Sequence, residues 1–142
     1  WTHRYQTAIS ACNVFLSLIT PESELIDDAG GLVSTETKQR WIAEAQFMRA
    51  FYYYLLTSFF GDVPFYTEPP TSDQYEVEKT SRVKILDFII NECNEATEYL
   101  DWIAMDRGRV DKSFAYGLIN RMALLGGSLD FGGKSTEYFK IA

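Results

Sequence analysis

Apolar residues recur every three or four positions in several stretches of the chain, the spacing that places them on one face of an α-helix. In the first stretch, about residues 3–19, the apolar stripe consists of Tyr5, Ile9, Cys12, Leu16 and Ile19. Polar residues, Asn13 among them, fall off this stripe. Pro21 closes the pattern, and a polar loop with turn-forming glycines follows to about residue 34. We predict a first helix here, helix A.

The second stretch, about residues 37–60, carries two apolar stripes. One consists of Trp41, Ala45, Met48, Tyr52, Leu55 and Phe59, and the other of Phe47, Phe51 and Tyr54. A helix that is apolar on two faces is typically packed between neighbours. Gly61 suits a left-handed cap and Pro64 follows shortly, so we expect this helix B to end sharply there.

Two further helices are predicted after a long connection, residues 61–80, that is rich in Pro, Asp and Glu. Helix C covers about residues 81–100, with Glu92, Glu95 and Glu98 on its polar, solvated face. Helix D covers about residues 112–125 and is expected to end at Gly126-Gly127. Another helix begins near Ser135.

These elements predict an all-α fold of antiparallel helix hairpins, A with B and C with D. Residues 1–60 form the first hairpin, 61–80 a long loop, 81–127 the second hairpin, and 128–142 the start of a further helix. Ala43, Phe47 and Ala50 follow the small-large-small spacing of the second helix in tetratricopeptide units. Any closely packed helix pair favours the same spacing, so on its own it is weak support for such repeats.

Composition narrows the possible partners. Aromatic residues make up 15% of the 142 residues, and the net charge is −7. Nucleic acids and anionic lipids require basic surfaces, so an acidic chain disfavours both. Neutral ligands such as sugars meet no electrostatic penalty, and aromatic faces suit them.

Few residues are candidates for chemistry. His3 is the single histidine, which removes the usual zinc and Ser-His sites. Residues 127–135 resemble the end of a phosphate-binding loop, but Ser128 replaces a required glycine and a helix precedes the segment. Cys12 and Cys93 are predicted to be small buried hydrophobes, with a single bridge as the alternative. We predict no catalytic residue, no metal site and no cofactor.

Acidic residues lie in the 61–80 loop, where we predict a solvated segment and leave calcium binding open; they are Glu68, Asp73, Glu76 and Glu78. The apolar run near residues 51–60 is too short to cross a membrane, for which about 18 residues are needed.

The most specific pattern lies at the end of helix B. Residues 44–65 read E-A-Q-F-M-R-A-F-Y-Y-Y-L-L-T-S-F-F-G-D-V-P-F. This segment resembles the hallmark of the SusD/RagB family, approximately E-A-R-F-L-R-A-x-Y-Y-F followed shortly by G-D-V-P-L. The departure is Gln46, where the family usually has Arg. The matching residues that we interpret as structural are Glu44, Arg49, Gly61, Asp62 and Pro64.

Two further segments resemble the same family in order. Residues 1–15 are similar to its first tetratricopeptide helix, and residues 108–112 to its G-R-x-[ST]-K entry into a later helix, with Asp111 replacing Ser/Thr. The resemblance implies a right-handed tetratricopeptide-like array within a longer lipoprotein at the outer-membrane surface. Its signal peptide and lipidated cysteine would precede Trp1. Such proteins bind oligosaccharides or peptides and pass them to a SusC-like TonB-dependent transporter.

The resemblance implies a glycan-binding scaffold with much of the sugar pocket outside this stretch. Sugar-contact candidates within it are the loop aromatics Tyr66, Tyr75 and Trp102, each of which has a plain packing role as its alternative. The alternative function is a tetratricopeptide-like protein–protein interaction module without sugar contact.

Overall fold

The computed structural model describes residues 2–69, 77–104 and 106–142, with side chains from Tyr5 onward. The all-α prediction is confirmed. The helices are α1 (Thr2–Leu18), α2 (Thr35–Phe60), α3 (Arg82–Thr97), α4 (Lys112–Ser128) and α5 (Ser135–Ile141), with a 3-10 turn at Phe131–Gly133. A short antiparallel pair that we did not predict, β1 (Val63–Pro64) and β2 (Lys79–Thr80), closes the base of the long 61–80 connection.

Three helices begin at a side chain that accepts a hydrogen bond from the first turn. Ser34 accepts from the Thr37 amide before α2, Ser81 from the Lys84 amide before α3, and Asp111 from the Phe114 amide before α4. Such caps satisfy amides that have no partner within the helix. Asp111, which replaces Ser/Thr of the motif at residues 108–112, is therefore the N-cap residue of α4.

Neighbouring helices run antiparallel, as predicted. Tyr5 of α1 lies beside Tyr52 of α2 and Asn13 beside Arg49, so the order of contacts reverses between the two helices. Arg49 meets Glu92 of α3, whereas Arg40 meets Asp101 just beyond the end of α3, which again reverses the order. Helix α2 is packed between α1 and α3, and α4 between α3 and α5.

The buried face of α2 does not coincide with either of the two apolar stripes that we predicted. Its core side chains are Ala43, Phe47, Ala50, Tyr53 and Leu56, so the small-large-small spacing does lie at a helix contact. Of the residues in the two predicted stripes only Phe47 is buried, whereas Trp41 and Tyr52 are half-buried and Phe59 is 70% exposed. The face between two flanking helices is buried most, and periodicity alone did not locate it.

Helix α2 ends at Gly61 as predicted, but the backbone there is not left-handed helical. Gly61 has φ 70° and ψ −120°, a conformation open to glycine and unfavourable for residues with a Cβ. Its amide still donates to the Thr57 carbonyl, 3.0 Å away, before the chain enters β1. The sharp corner is therefore present, with a different backbone geometry.

Gly126 and Gly127 do not end α4, which continues to Ser128. Both glycines are buried, and a Cβ on either would lie 2.8 Å from an aromatic ring of α5, Tyr138 or Phe139. The pair allows α5 to approach α4 closely. That prediction was wrong because glycine serves close packing as well as helix termination.

Both cysteines are free thiols, so the single-bridge alternative is not formed; Cys93 is buried and Cys12 is half-buried. Within residues 2–69, 77–104 and 106–142, no helix is long and apolar enough to cross a membrane. The same described residues contain no group of His, Cys, Asp or Glu side chains arranged to hold a metal ion. Asp73 and Glu76 of the calcium-binding alternative lie outside the described residues.

Candidate functional site

A charged pair lies buried between α2 and α3. Arg49 donates from Nε and Nη2 to the two carboxylate oxygens of Glu92, at 2.6 and 2.7 Å. Two parallel bonds of this kind give a strong and directional contact. Glu92 is only 5% exposed, so our prediction of a solvated position was wrong for this residue. A buried charge requires a partner, and Arg49 from another helix provides it.

Asn13 extends this pair to α1 and to the segment after β1. Its side-chain oxygen accepts from Arg49 Nη1 at 2.9 Å, and its amide nitrogen donates to the carbonyls of Tyr66 and Glu68. Arg49 Nη1 also donates to the Thr67 carbonyl at 3.1 Å. Asn13 is 2% exposed, which corrects its assignment to the polar side of helix A.

Tyr53 completes what we call the polar centre, defined as Asn13, Arg49, Tyr53 and Glu92. The Tyr53 hydroxyl donates to the Tyr66 carbonyl and accepts from the Tyr66 amide, both at 2.8 Å. Both backbone polar groups of Tyr66 are therefore held by one buried side chain. The polar centre holds the start of the long connection, residues 66–68, against the helices.

The electrostatics of the polar centre indicate a structural role. Burial raises the pKa of Glu92, and the hydrogen bonds and charge of Arg49 act in the opposite direction. Burial also raises the pKa of Tyr53, so its hydroxyl stays protonated and able to donate. In the described part of the chain, every buried side-chain polar atom has a hydrogen-bond partner. A saturated centre of this kind holds a loop in a fixed position.

The predicted sugar contacts lie in separate places. Tyr66 is half-buried and is held beside Tyr53, whereas Trp102 follows Asp101, which contacts Arg40. Arg40 and Tyr53 are separated along α2 by about 20 Å, at roughly 1.5 Å of rise per residue. The fold therefore does not bring Tyr66 and Trp102 together. Tyr75 lies outside the described residues.

Trp102 is an accessible aromatic side chain, 64% exposed. Its ring lies nearly parallel to Tyr116 of α4, with centroids 5.7 Å apart and an interplanar angle of 21°. The Lys112 ammonium lies 5.9 Å from its centroid. Two stacked, exposed rings with a nearby cation form a surface suited to flat or ring-shaped ligands.

A second ion pair joins the two motif segments at residues 44–65 and 108–112. Glu44 of α2 accepts hydrogen bonds from Nε and Nη2 of Arg109 in the α3–α4 connection, the first at 2.9 Å. This bond and the Glu44 charge raise the pKa of Arg109. Asp62, from the corner after α2, accepts from the Arg82 amide at 2.8 Å and so caps the first turn of α3.

Sequence reasoning missed Asn13 and Glu92 as members of the polar centre. Each lies on a helix whose apolar stripe suggested a solvated position. One signal was present: Arg49 lies in a largely apolar helix, and a buried cation needs an acidic partner on a neighbouring element. This signal does not identify which of several glutamates is the acidic partner of Arg49.

Comparison with known proteins identifies this fold. A family profile described as starch-binding associating with outer membrane, SusD-like, matches residues 1–124. A solved laminarin-binding SusD-like protein superposes with a TM-score of 0.75 at 25% identity, over 94% of this chain and 27% of that one. A SusD-like carbohydrate-binding protein of Bacteroides fragilis superposes with a TM-score of 0.73 at 30% identity, over 99% and 28%.

The helical array thus has the fold of the SusD-like class of proteins. This chain belongs to the SusD-like family. A SusD-like protein of Formosa agariphila is 32% identical over 88 residues, which is 60% of this chain and 17% of that protein. The chain therefore spans less than a third of the length of these relatives.

Proposed function

We propose that this chain is the helical scaffold of a non-catalytic protein that captures glycans at the outer-membrane surface. The observation that carries the proposal is the family match over residues 1–124, a family described by starch binding and association with the outer membrane. Similarity to a laminarin-binding protein supports the same ligand class. The acidic net charge of −7 is compatible with neutral sugars.

The described residues support this role through rigidity and accessible aromatic surface. The polar centre holds both backbone polar groups of Tyr66, so its ring is presented from a fixed position. Trp102 is exposed and backed by Tyr116. Sugar C–H groups pack on aromatic faces while hydroxyls bond to polar neighbours, which requires no net charge. Tyr66, Trp102 and Tyr75 are the proposed sugar contacts.

The finer features of the proposal concern the whole protein. We propose that it extends beyond this chain, because the chain covers 27% and 28% of two solved relatives. The two hairpins and the loop at 61–80 then form one scaffold unit, with a signal peptide and a lipid anchor upstream. The captured oligosaccharide, or a peptide in its place, passes to a SusC-like TonB-dependent transporter.

Oligosaccharide titration tests the proposal. The purified full-length protein is titrated with maltoheptaose and laminarihexaose while Trp and Tyr fluorescence is followed. We expect saturable binding of one of them, weakened in Tyr66→Ala, Tyr75→Ala or Trp102→Ala. Phe59→Ala is the matched control, because Phe59 is a similarly exposed aromatic outside the proposed contacts.

Each outcome has a separate meaning. Binding that is unchanged in all three variants would place the sugar contacts elsewhere and remove these candidates. Absence of binding to any oligosaccharide or peptide, together with copurification of the transporter, would favour the alternative of a protein-interaction module.

A further inference from the structure

A cleft lies between the N-terminal half of α2 and the α3–α4 connection, and no residue of the polar centre lines it. Its volume is 410 Å³, within the range of small-molecule sites. The wall from α2 consists of Thr37, Arg40, Trp41 and Glu44. These residues are spaced by three or four positions, so they share one helix face. The opposite wall is formed by Asp101, Asp106 and Arg109 of the connection.

Two ion pairs cross the cleft, and α2 provides the cation of one and the anion of the other. Arg40 of α2 faces Asp101 at 3.4 Å, whereas Glu44, one turn further along α2, faces Arg109. Each wall therefore offers both hydrogen-bond donors and acceptors. A single-sign cleft would select a charged ligand, whereas this arrangement suits a ligand whose groups both donate and accept. Sugar hydroxyls do both.

The polar groups of the cleft retain capacity for a ligand. The Asp101 side chain is 58% exposed, and its contact with Arg40 is longer than the usual 2.9–3.0 Å of such bonds. A carboxylate accepts about four hydrogen bonds, so Asp101 can accept from further hydroxyl groups. The Arg109 side chain is 40% exposed, and the two bonds to Glu44 use only its Nε and Nη2.

Trp41 supplies an aromatic wall. It lines the polar cleft and also an adjoining, largely apolar groove of 600 Å³ bounded by Cys12, Phe15 and Met48. The half-buried indole thus stands between a polar and an apolar compartment. A sugar ring has the same two characters, with hydroxyls at its edge and C–H groups on its faces. Core packing alone would not require the charged residues on the open side.

From this geometry we infer that the cleft is a binding subsite for a neutral saccharide unit, with the Trp41 indole against the sugar ring and Asp101 and Arg109 bonding its hydroxyls. The inference rests on the proposed function and adds a site built from residues other than the candidates Tyr66, Tyr75 and Trp102. Trp102 adjoins Asp101 in sequence but stacks on Tyr116 and does not line the cleft.

A site-specific readout tests the inference. The full-length protein is labelled with 15N-tryptophan, and its indole N–H resonances are followed during titration with maltoheptaose and with laminarihexaose. Trp41→Phe and Trp102→Phe assign the two resonances. We expect the Trp41 resonance to shift saturably with at least one oligosaccharide. Asp101→Asn is expected to raise the Kd from that resonance about tenfold, the loss of one charge-assisted hydrogen bond.

The control is Phe114→Leu, an exposed aromatic of α4 outside the cleft, which should leave the Trp41 titration unchanged. Sugar binding that shifts the Trp102 resonance while Trp41 stays unmoved overturns the inference and leaves the proposed function standing. An unchanged Kd in Asp101→Asn also overturns it. Absence of any binding by the wild-type protein overturns both. Asp101 is exposed, so its variant tests the site without a core substitution.

Discussion

Among the described residues, two Arg–Glu pairs join α2 to other elements, and they differ mainly in burial. Arg49 and Glu92 form the inner pair, whose side chains are 10% and 5% exposed. Glu44 and Arg109 form the outer pair, at 16% and 40%. Both are two-bond contacts between the same residue types. The positions on α2 are five residues apart, which turns them to different faces of the helix.

The comparison shows that the same Arg–Glu contact has a different structural role when it is buried than when it is exposed. The inner pair is almost fully buried, so Asn13, the Thr67 carbonyl and the Phe88 ring complete its surroundings. The inner pair therefore organises three helices and a loop. The outer pair is partly exposed, so it keeps capacity for other groups, and we place the ligand site beside it and not at the polar centre.

The largest expected effect comes from breaking the inner pair. Arg49→Met leaves the Glu92 carboxylate buried without its cation and frees Asn13 and the Thr67 carbonyl. The free energy of unfolding should fall by about 3–5 kcal/mol. Urea denaturation at pH 7 measures it. The double variant Arg49→Met with Glu92→Leu removes both charges and should recover much of the loss, and a double variant as unstable as the single would contradict this account.

The second prediction concerns Asn13, which is hydrogen-bonded to Arg49 of the inner pair. Asn13→Leu keeps the volume roughly constant but removes the acceptor for Arg49 Nη1 and the donor to two loop carbonyls. We expect a loss of about 1–3 kcal/mol from unsatisfied buried groups, measured by the same denaturation. Gln46→Leu, which removes a 3.3 Å bond to exposed Glu95, is the control and should change stability by no more than about 0.5 kcal/mol. Equal losses of stability in Asn13→Leu and Gln46→Leu would refute the distinction between a buried and an exposed hydrogen bond.

The outer pair should matter little to stability. Arg109→Ala removes a bridge that is open to solvent on one side, and the expected loss is below about 1 kcal/mol. Because salt screens exposed charges, the loss should shrink further in 1 M NaCl, whereas the loss in Arg49→Met should persist. Thermal unfolding at low and high salt measures both. A salt-independent loss above 3 kcal/mol in Arg109→Ala would show that the outer pair behaves as a buried one.

The smallest effect concerns the two thiols near the inner pair. Burial, with a smaller contribution from the Glu92 charge, raises the pKa of Cys93 to about 12. A pH of 8 lies well below that pKa, so Cys93 is almost entirely in the unreactive thiol form. Burial also raises the pKa of Cys12, but that side chain is only half-buried.

We therefore expect a disulfide reagent at pH 8 to label Cys12 slowly in the native protein and Cys93 only after unfolding in urea. Thiol counting on Cys12→Ser and Cys93→Ser assigns the two rates. Rapid labelling of Cys93 in the folded protein would mean that the interior beside Glu92 is open to water.

Local features of the chain were predictable because their causes are local. The helices follow from apolar periodicity, which also predicted that α4 starts at Lys112, and the end of α2 follows from Gly61 and Pro64. The 44–65 motif led to the SusD/RagB family, which the profile match over residues 1–124 confirms. The roles of Tyr66, Tyr75 and Trp102 in sugar binding stay predictions.

What the sequence by itself determined was the all-α architecture, the antiparallel order of neighbouring helices and the family. Only the tertiary structure decided which polar residues are buried, because that depends on what another helix places opposite them. Glu92 and Glu95 have similar surroundings in sequence, yet Glu92 faces Arg49 in the interior and Glu95 lies exposed beside Gln46. Likewise, Gly126 permits close packing only because Tyr138 returns against it. Periodicity describes one helix, whereas burial is a property of the helices packed together.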